Sequence, residues 1–236
     1  MSATRCLLAL VFGWGALGAA ETHAYEGVPE FQGATLTGMV TLRRPAPVRP
    51  PLEVNKDHQA CGQTVPDETY VVGAHGGLAN VVVYLEGIER GKVIGSPTVE
   101  IDHHWCRFEP HVLAFPKGSL LWVKNQDPIL HTTHAFLGSN TLFHTAMPAH
   151  GGKIPKVINE TGLMEFGCAA GHTWMRAWAM VTDHPYVTVT DAEGRFVMTD
   201  VPPGIHRIVA WHEAEGTRRA QVRIDRGRET EVFFDY

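Results

Sequence analysis

The segment Leu163-Met-Glu-Phe-Gly-Cys168-Ala-Ala-Gly-His172-Thr-Trp-Met175 is followed directly by a second apolar run, Arg176-Ala-Trp-Ala-Met-Val181. The first run alternates, which places Met164, Phe166 and Cys168 on one face of a strand, and we expect that face to point into the core. The pattern predicts two strands joined by a compact loop. That loop carries a thiol, an imidazole and a thioether within eight residues.

These loop residues suggest a metal site. A thiolate, two imidazoles and a weak thioether form the ligand set of mononuclear copper electron-transfer sites. Cys168, His172 and Met175 would supply three of these ligands, and the second imidazole has to come from elsewhere in the chain. The alternative is an ordinary β-hairpin that happens to contain Cys, His and Met. The remainder of the sequence favours the metal site.

Composition describes a globular protein. The chain has 236 residues, of which 44% are hydrophobic and 19% charged, enough for one large or two modest domains. Its formal net charge of −5 gives no electrostatic argument for a nucleic-acid partner or an anionic membrane surface. The 14 histidines raise the expectation of a transition metal without locating it.

The N-terminus has the pattern of a secretory signal peptide over residues 1–24. Arg5 is followed by the apolar, small-residue run Cys6–Ala20, with cleavage expected after Ala20 or Ala24. The run is short for a membrane span, although an uncleaved anchor is the alternative. We expect a periplasmic or otherwise exported protein without stable membrane insertion.

Export leaves three cysteines, an odd number in an oxidising compartment. Two of them should pair, and the third needs another explanation such as reactivity or a metal. Cys61 and Cys106 both lie in polar, loop-like surroundings, so we expect a Cys61–Cys106 disulfide. Cys168 then stays free, either as a metal ligand or as a buried inert thiol.

Many short β-rich runs separated by turn residues predict an all-β fold built from sandwiches. The runs include Gly38–Leu42, Asn80–Leu85 and Val187–Asp191. Val112–Phe115 and Leu120–Lys124, separated by Pro116-Lys-Gly-Ser119, are predicted to form a hairpin-like pair.

The middle of the chain resembles a cupredoxin, the plastocyanin-like copper fold with a Greek-key sandwich. The residues that carry the resemblance are Phe108-Glu-Pro110, Lys117-Gly118, Trp122-Val-Lys-Asn125, Leu130-His-Thr-Thr133 and the set Cys168, His172 and Met175. The resemblance implies one copper ion held by the imidazoles of His131 and His172, the thiolate of Cys168 and the thioether of Met175.

Other ligands remain open at this stage. His134 lies three residues after His131 and could replace it, and His111 is a further candidate. The compact loop is also similar to half of the binuclear copper centre of cytochrome oxidase. Met164 stands where that centre has its other cysteine, which disfavours a binuclear site.

The closing block resembles a carboxypeptidase regulatory-like, or transthyretin-like, β-sandwich, through Thr190–Phe196 and Val201-Pro-Pro-Gly204. Together with the cupredoxin resemblance, this is similar to exported methylamine-utilisation-like proteins. We expect a regulatory-like sandwich formed by residues 33–95 and 185–236, with a cupredoxin-like domain inserted or packed beside it at residues 96–184.

The combined expectation is a periplasmic copper protein that transfers single electrons, with a cytochrome or quinoprotein-type redox partner. A copper carrier using the same ligands is one alternative, and a metal-free binding or scaffold protein is another. No nucleophile elbow, phosphate loop or dinucleotide motif is found in the sequence, so we do not expect an enzyme.

Overall fold

The computed structural model describes residues 24–236, and its regular elements are almost entirely strands, which confirms the all-β prediction. The predicted signal peptide lies outside the described residues, apart from Ala24. The helical elements are α1 (His58–Cys61) and one 3-10 turn (Ala74–Gly76). The strands are β1 (Glu26–Val28), β2 (Ala34–Thr41), β3 (Leu52–Glu53), β4 (Thr64–Val65), β5 (Val82–Glu86), β6 (Arg90–Lys92), β7 (Thr98–His104), β8 (Arg107–Glu109), β9 (Val112–Pro116), β10 (Ser119–Asn125), β11 (His131–Leu137), β12 (Asn140–Met147), β13 (Ile154–Ile158), β14 (Gly162–Gly167), β15 (Arg176–Thr182), β16 (Val187–Val189), β17 (Arg195–Val201), β18 (Gly204–His212), β19 (Gly216–Ile224) and β20 (Thr230–Asp235).

A middle sandwich is formed by two sheets, one with strand order β12-β11-β14-β15-β9 and one with order β13-β10-β7-β8. Their inner faces share one hydrophobic core, in which Phe108, Phe115 and Leu121 are among the fully buried side chains. The alternating face predicted for β14 is confirmed, because Met164 and Phe166 are fully buried and point into this core.

A second core is built from both ends of the described chain. The sheets β16-β5-β18-β19 and β17-β2-β20 enclose it, so that strands from before residue 95 pair with strands from after residue 185. The fully buried Leu36, Leu85 and Ile208 belong to it. The middle sandwich is therefore an interruption within this second one. The domain limits at residues 95–96 and 184–185, and the transthyretin-like resemblance, stay predictions.

The hairpin predicted for Val112–Phe115 and Leu120–Lys124 is wrong. Strand β9 pairs in parallel with β15, whereas β10 pairs in parallel with β7 in the opposite sheet. Both strands bury large side chains against the same core, so the turn after Pro116 carries the chain from one sheet to the other. A turn signal between two apolar runs cannot distinguish a hairpin from such a crossing.

The Cys61–Cys106 disulfide is confirmed, and Cys168 is the free, buried cysteine of the described residues. The bond joins two residues that lie 45 positions apart. It ties α1 to the turn between β7 and β8, next to the ligand candidates. Within residues 24–236 no helix has the length and apolarity needed to cross a membrane.

Candidate metal centre

Three predicted ligands converge at one edge of the middle sandwich. His131 opens β11, Cys168 directly follows β14, and His172 lies in the loop between β14 and β15. Their donor atoms approach closely: Cys168 Sγ lies 3.7 Å from His131 Nδ1 and 3.5 Å from His172 Nδ1, and the two Nδ1 atoms are 2.9 Å apart. Both imidazoles are fully buried, and the thiol is 8% exposed.

This triangle has the dimensions of a coordination site. A point equidistant from the three atoms lies about 2.0 Å from each of them, which matches metal–nitrogen bonds and is slightly short of metal–thiolate bonds. Two imidazoles and one thiolate are donors that suit copper and zinc among biological metals. The three residues therefore fit a transition-metal ion.

The Nε2 atom of each imidazole ring contacts a carboxylate. His131 Nε2 lies 2.9 Å from Asp127 Oδ2, and His172 Nε2 lies 2.8 Å from Asp57 Oδ2. A carboxylate that accepts the Nε2–H leaves Nδ1 with a lone pair, the arrangement common to metal-binding histidines. Two such lone pairs facing each other at 2.9 Å repel unless a proton or a metal cation lies between them.

The segment before His131 is fixed by its own polar side chains. Asn125 Nδ2 lies within 2.9 Å of the carbonyl oxygens of Ile129, Met147 and Pro148, and its Oδ1 accepts the backbone N–H of Asp127. Because these bonds hold the loop between β10 and β11, the position of His131 is set by the fold before any metal binds.

The sulfur of Cys168 accepts hydrogen bonds that stabilise its thiolate. The backbone N–H of Thr132 donates to Sγ at 3.3 Å, and the Thr132 hydroxyl accepts the N–H of Ala169 at 2.7 Å. Burial alone would raise the pKa of the thiol, but the contacts of Sγ with the His131 and His172 rings and with the N–H of Thr132 outweigh burial and lower the pKa to about 5. A thiolate is the form that binds metals.

The same contacts determine the pKa of His131. Burial alone would lower its pKa, but the hydrogen bonds to Asp127 and Cys168 raise it. His103, whose ring centroid lies 4.8 Å from that of His131, stays neutral because burial, together with the charge of His131, lowers its pKa to about 3. Its Nε2 lies 2.7 Å from the hydroxyl of Thr133.

Met175 and Trp174 close the loop. Met175 is 3% exposed, packs in the same core cluster as Cys168, and donates its backbone N–H to the carbonyl of His172. The Trp174 ring lies 5.1 Å from that of His172, and its Nε1–H donates to the carbonyl of Cys106. Trp174 therefore forms part of the apolar surroundings of His172.

The two alternative ligands lie elsewhere. His134 is on the outward face of β11, where it contacts the hydroxyl of Thr141 and stacks on His144. His111 pairs with Glu213. A second converging group, Cys106 with Asp127 and His131, offers no thiolate because Cys106 is in the disulfide.

Asp57, Asp127 and His103 were not expected at this site. For Asp127 a local signal exists, since it precedes His131 by four residues. Asp57 lies 115 residues from its partner His172, and no spacing in the sequence connects the two.

No family model and no curated protein matches the chain. Solved structures similar to it include a purple cupredoxin from Nitrosopumilus maritimus, with 19% identity over 36% of this chain and 99% of that one (TM-score 0.31). Amicyanin from Paracoccus versutus has 14% identity over 42% and 96% of the two chains (TM-score 0.32). A copper-containing nitrite reductase from Thermus scotoductus has 21% identity over 38% of this chain and 23% of its own (TM-score 0.33). These are likenesses of fold only.

Proposed function

We propose that this protein binds one copper ion through His131, Cys168 and His172, with Met175 as a weak fourth ligand, and transfers single electrons. The observation that carries the proposal is the buried triangle of two Nδ1 atoms and one Sγ, with a carboxylate on each outer Nε2. A copper ion bound there would supply a one-electron couple between its two common oxidation states.

The protein's own contribution is a site that is formed in advance. His131 is held by Asp127, His172 by Asp57, and the sulfur by the N–H of Thr132. Side chains fixed in this way move little when the charge at the centre changes, which is what fast electron transfer requires. Hydrogen bonds to the sulfur also tune the potential of such sites.

The burial of the ligands favours electron transfer over copper delivery. A carrier that hands over its metal needs ligands that a partner can reach, whereas the two imidazoles here are fully buried and the thiol nearly so. The same burial supports a retained ion. The described residues do not form a second, separate metal group for a substrate, since both converging groups share His131. We therefore propose an electron carrier and not an enzyme.

A largely apolar surface next to the site, which also includes Lys56 and Asp57, is suited to a redox partner protein. Leu130 precedes His131 and is 51% exposed. Pro148, Ala149 and Ala170 lie beside it, lining the same shallow depression. We propose that a cytochrome or quinoprotein-type partner docks here, because Leu130 directly precedes the ligand His131.

The proposed location is the periplasm or another exported compartment. The Cys61–Cys106 disulfide supports this, because disulfides persist in oxidising compartments and are rare in the cytosol. The signal-peptide pattern of residues 1–24 points the same way.

The test is repeated redox cycling of the copper-loaded protein in the presence of a copper chelator. Electron transfer predicts a visible thiolate–copper absorption band that bleaches with a one-electron reductant and returns on oxidation over many cycles. A carrier instead predicts that the reduced ion passes to the chelator within the first cycles. Absence of the band in protein freshly loaded with oxidised copper would contradict electron transfer through these ligands.

A further inference from the structure

The segment Val54–Cys61 lies against the ligand loop and is bonded to it by three consecutive residues. Each of these residues uses its side chain, so the contact does not depend on a regular strand pairing. The bonds run from Asn55 Nδ2 to Thr173 Oγ1 (3.2 Å), from Lys56 Nζ to the carbonyl of Ala170 (2.6 Å), and between His172 Nε2 and Asp57 Oδ2 (2.8 Å).

The backbone of this segment presents Asp57 to His172. Asp57 has φ 56° and ψ 39°, a left-handed conformation that aspartate adopts more readily than most residues. Its carbonyl accepts the N–H of Cys61, while its carboxylate forms no capping bond to α1. The carboxylate is therefore available to accept a hydrogen bond from the imidazole of His172.

The disulfide ties this segment to the opposite side of the site. Cys61 ends α1, and its partner Cys106 donates its backbone N–H to Asp127 Oδ2 at 2.9 Å. That same carboxylate oxygen lies against His131 Nε2. One covalent bridge thus stands between the two carboxylates that hold the two histidines.

The tether matters because Asp57 is partly in water. Its side chain is 37% exposed, and an untethered carboxylate–imidazole contact at that exposure contributes little by itself. Confining the segment by a disulfide raises the effective concentration of Asp57 at His172.

We propose that segment 54–61 is a clamp, locked by the Cys61–Cys106 disulfide, that closes the ligand loop and makes Asp57 the positioning residue for His172. The clamp keeps the Nε2–H tautomer of His172, with Nδ1 directed at Cys168, and restricts access to the thiol. The inference rests on the proposed function for the identity of the ion, but not for the geometry.

The first experiment uses metal-free protein and measures the alkylation rate of Cys168 at one fixed pH. Asp57→Ala and the double variant Cys61→Ser/Cys106→Ser should each react about tenfold faster or more, because the loop opens more often. Glu53→Ala is the matched control: it removes one exposed carboxylate from β3, directly before the segment, without touching the ligand loop, and should react like the unaltered protein.

A second readout separates positioning from general destabilisation. Nitrogen NMR of His172 should show a proton fixed on Nε2 in the unaltered protein and a mixture of tautomers in Asp57→Ala, with partial recovery in Asp57→Glu. In the copper-loaded protein, release to a chelator should be about 10- to 100-fold faster in Asp57→Ala. If the cysteine double variant does not fold, Asp57→Ala decides alone.

Unchanged alkylation rates and an unchanged His172 tautomer in folded Asp57→Ala would overturn the clamp. Failure of the unaltered protein to bind copper would instead overturn the proposed function, because the alkylation and tautomer measurements need no metal.

Discussion

Asp127 Oδ2 lies 2.9 Å from His131 Nε2 and also accepts the backbone N–H of Cys106 at 2.9 Å. Asp127 is 5% exposed, and His131 is fully buried. One buried carboxylate oxygen therefore fixes both a ligand ring and the residue that anchors the disulfide.

Removing this carboxylate should destabilise the fold and weaken metal binding together. Asp127→Ala leaves the Nε2–H of His131 and the N–H of Cys106 without a partner, for which we expect a loss of about 3 kcal/mol in the free energy of unfolding. Metal affinity should fall about 10- to 100-fold.

Urea unfolding of the metal-free protein and competition titration of the loaded protein measure the two effects separately. Asp225→Ala, an exposed acidic residue paired with Arg223, serves as the control and should change neither quantity. If Asp127→Ala kept the original affinity, the carboxylate would have no part in orienting His131.

The identity of the first imidazole can be tested by a matched pair of substitutions. His131→Asn should abolish the thiolate–copper absorption band, while His134→Asn should leave its position and intensity unchanged. The reason is the direction of the side chains, since His131 faces Cys168 and His134 stacks on His144. Equal loss in both variants would place His134 in the ligand set.

Thr132 permits a test of loop tethering that leaves the ligands in place. Thr132→Val removes the hydroxyl that accepts the N–H of Ala169 and donates weakly to the sulfur at 3.8 Å, but keeps the backbone N–H that donates to the sulfur at 3.3 Å. We expect about 1 kcal/mol lower stability, with the absorption band retained. A vanished band in folded protein would show that the hydroxyl is required to form the site.

Acid should destabilise the second sandwich through two buried histidines. Burial lowers the pKa of both His184 and His212, so each binds fewer protons in the folded state than in the unfolded chain. His212 Nδ1 also accepts the N–H groups of Ala214 and Glu215, which protonation would break. Their stabilising contribution is full above the unfolded pKa of about 6.5 and falls as the pH drops below it.

The free energy of unfolding should change by at most about 1.4 kcal/mol per pH unit for each histidine. Urea unfolding between pH 7 and pH 5 measures it. His212→Asn, which keeps an acceptor for the two N–H groups, should flatten the slope, and the exposed His75→Asn should not. A slope identical in all three proteins would exclude His212 as a source of the pH dependence.

The sequence correctly predicted those structural features that a single local pattern determines. Alternation in Leu163–Cys168 predicted the buried face of β14, and cysteine arithmetic predicted the disulfide. The convergence of His131 with Cys168 and His172, expected from the cupredoxin resemblance, is what the structure displays.

Contacts between residues that lie far apart in the sequence could not be predicted from local patterns. The partners of β9 and β10 depend on which sheet each strand joins, and a turn motif does not encode that choice. The role of Asp57 depends on the disulfide and on a left-handed residue before a four-residue helix, none of which produces a hydrophobic period.

Copper binding by this protein is tested most directly by metal analysis combined with the visible absorption spectrum of protein purified from an oxidising compartment. Copper binding by His131, Cys168 and His172 predicts one copper per chain and an intense thiolate–copper band that Cys168→Ser abolishes while the fold persists. Protein that contains no copper, fails to develop the band when copper is added, and has a freely alkylated Cys168 would contradict it.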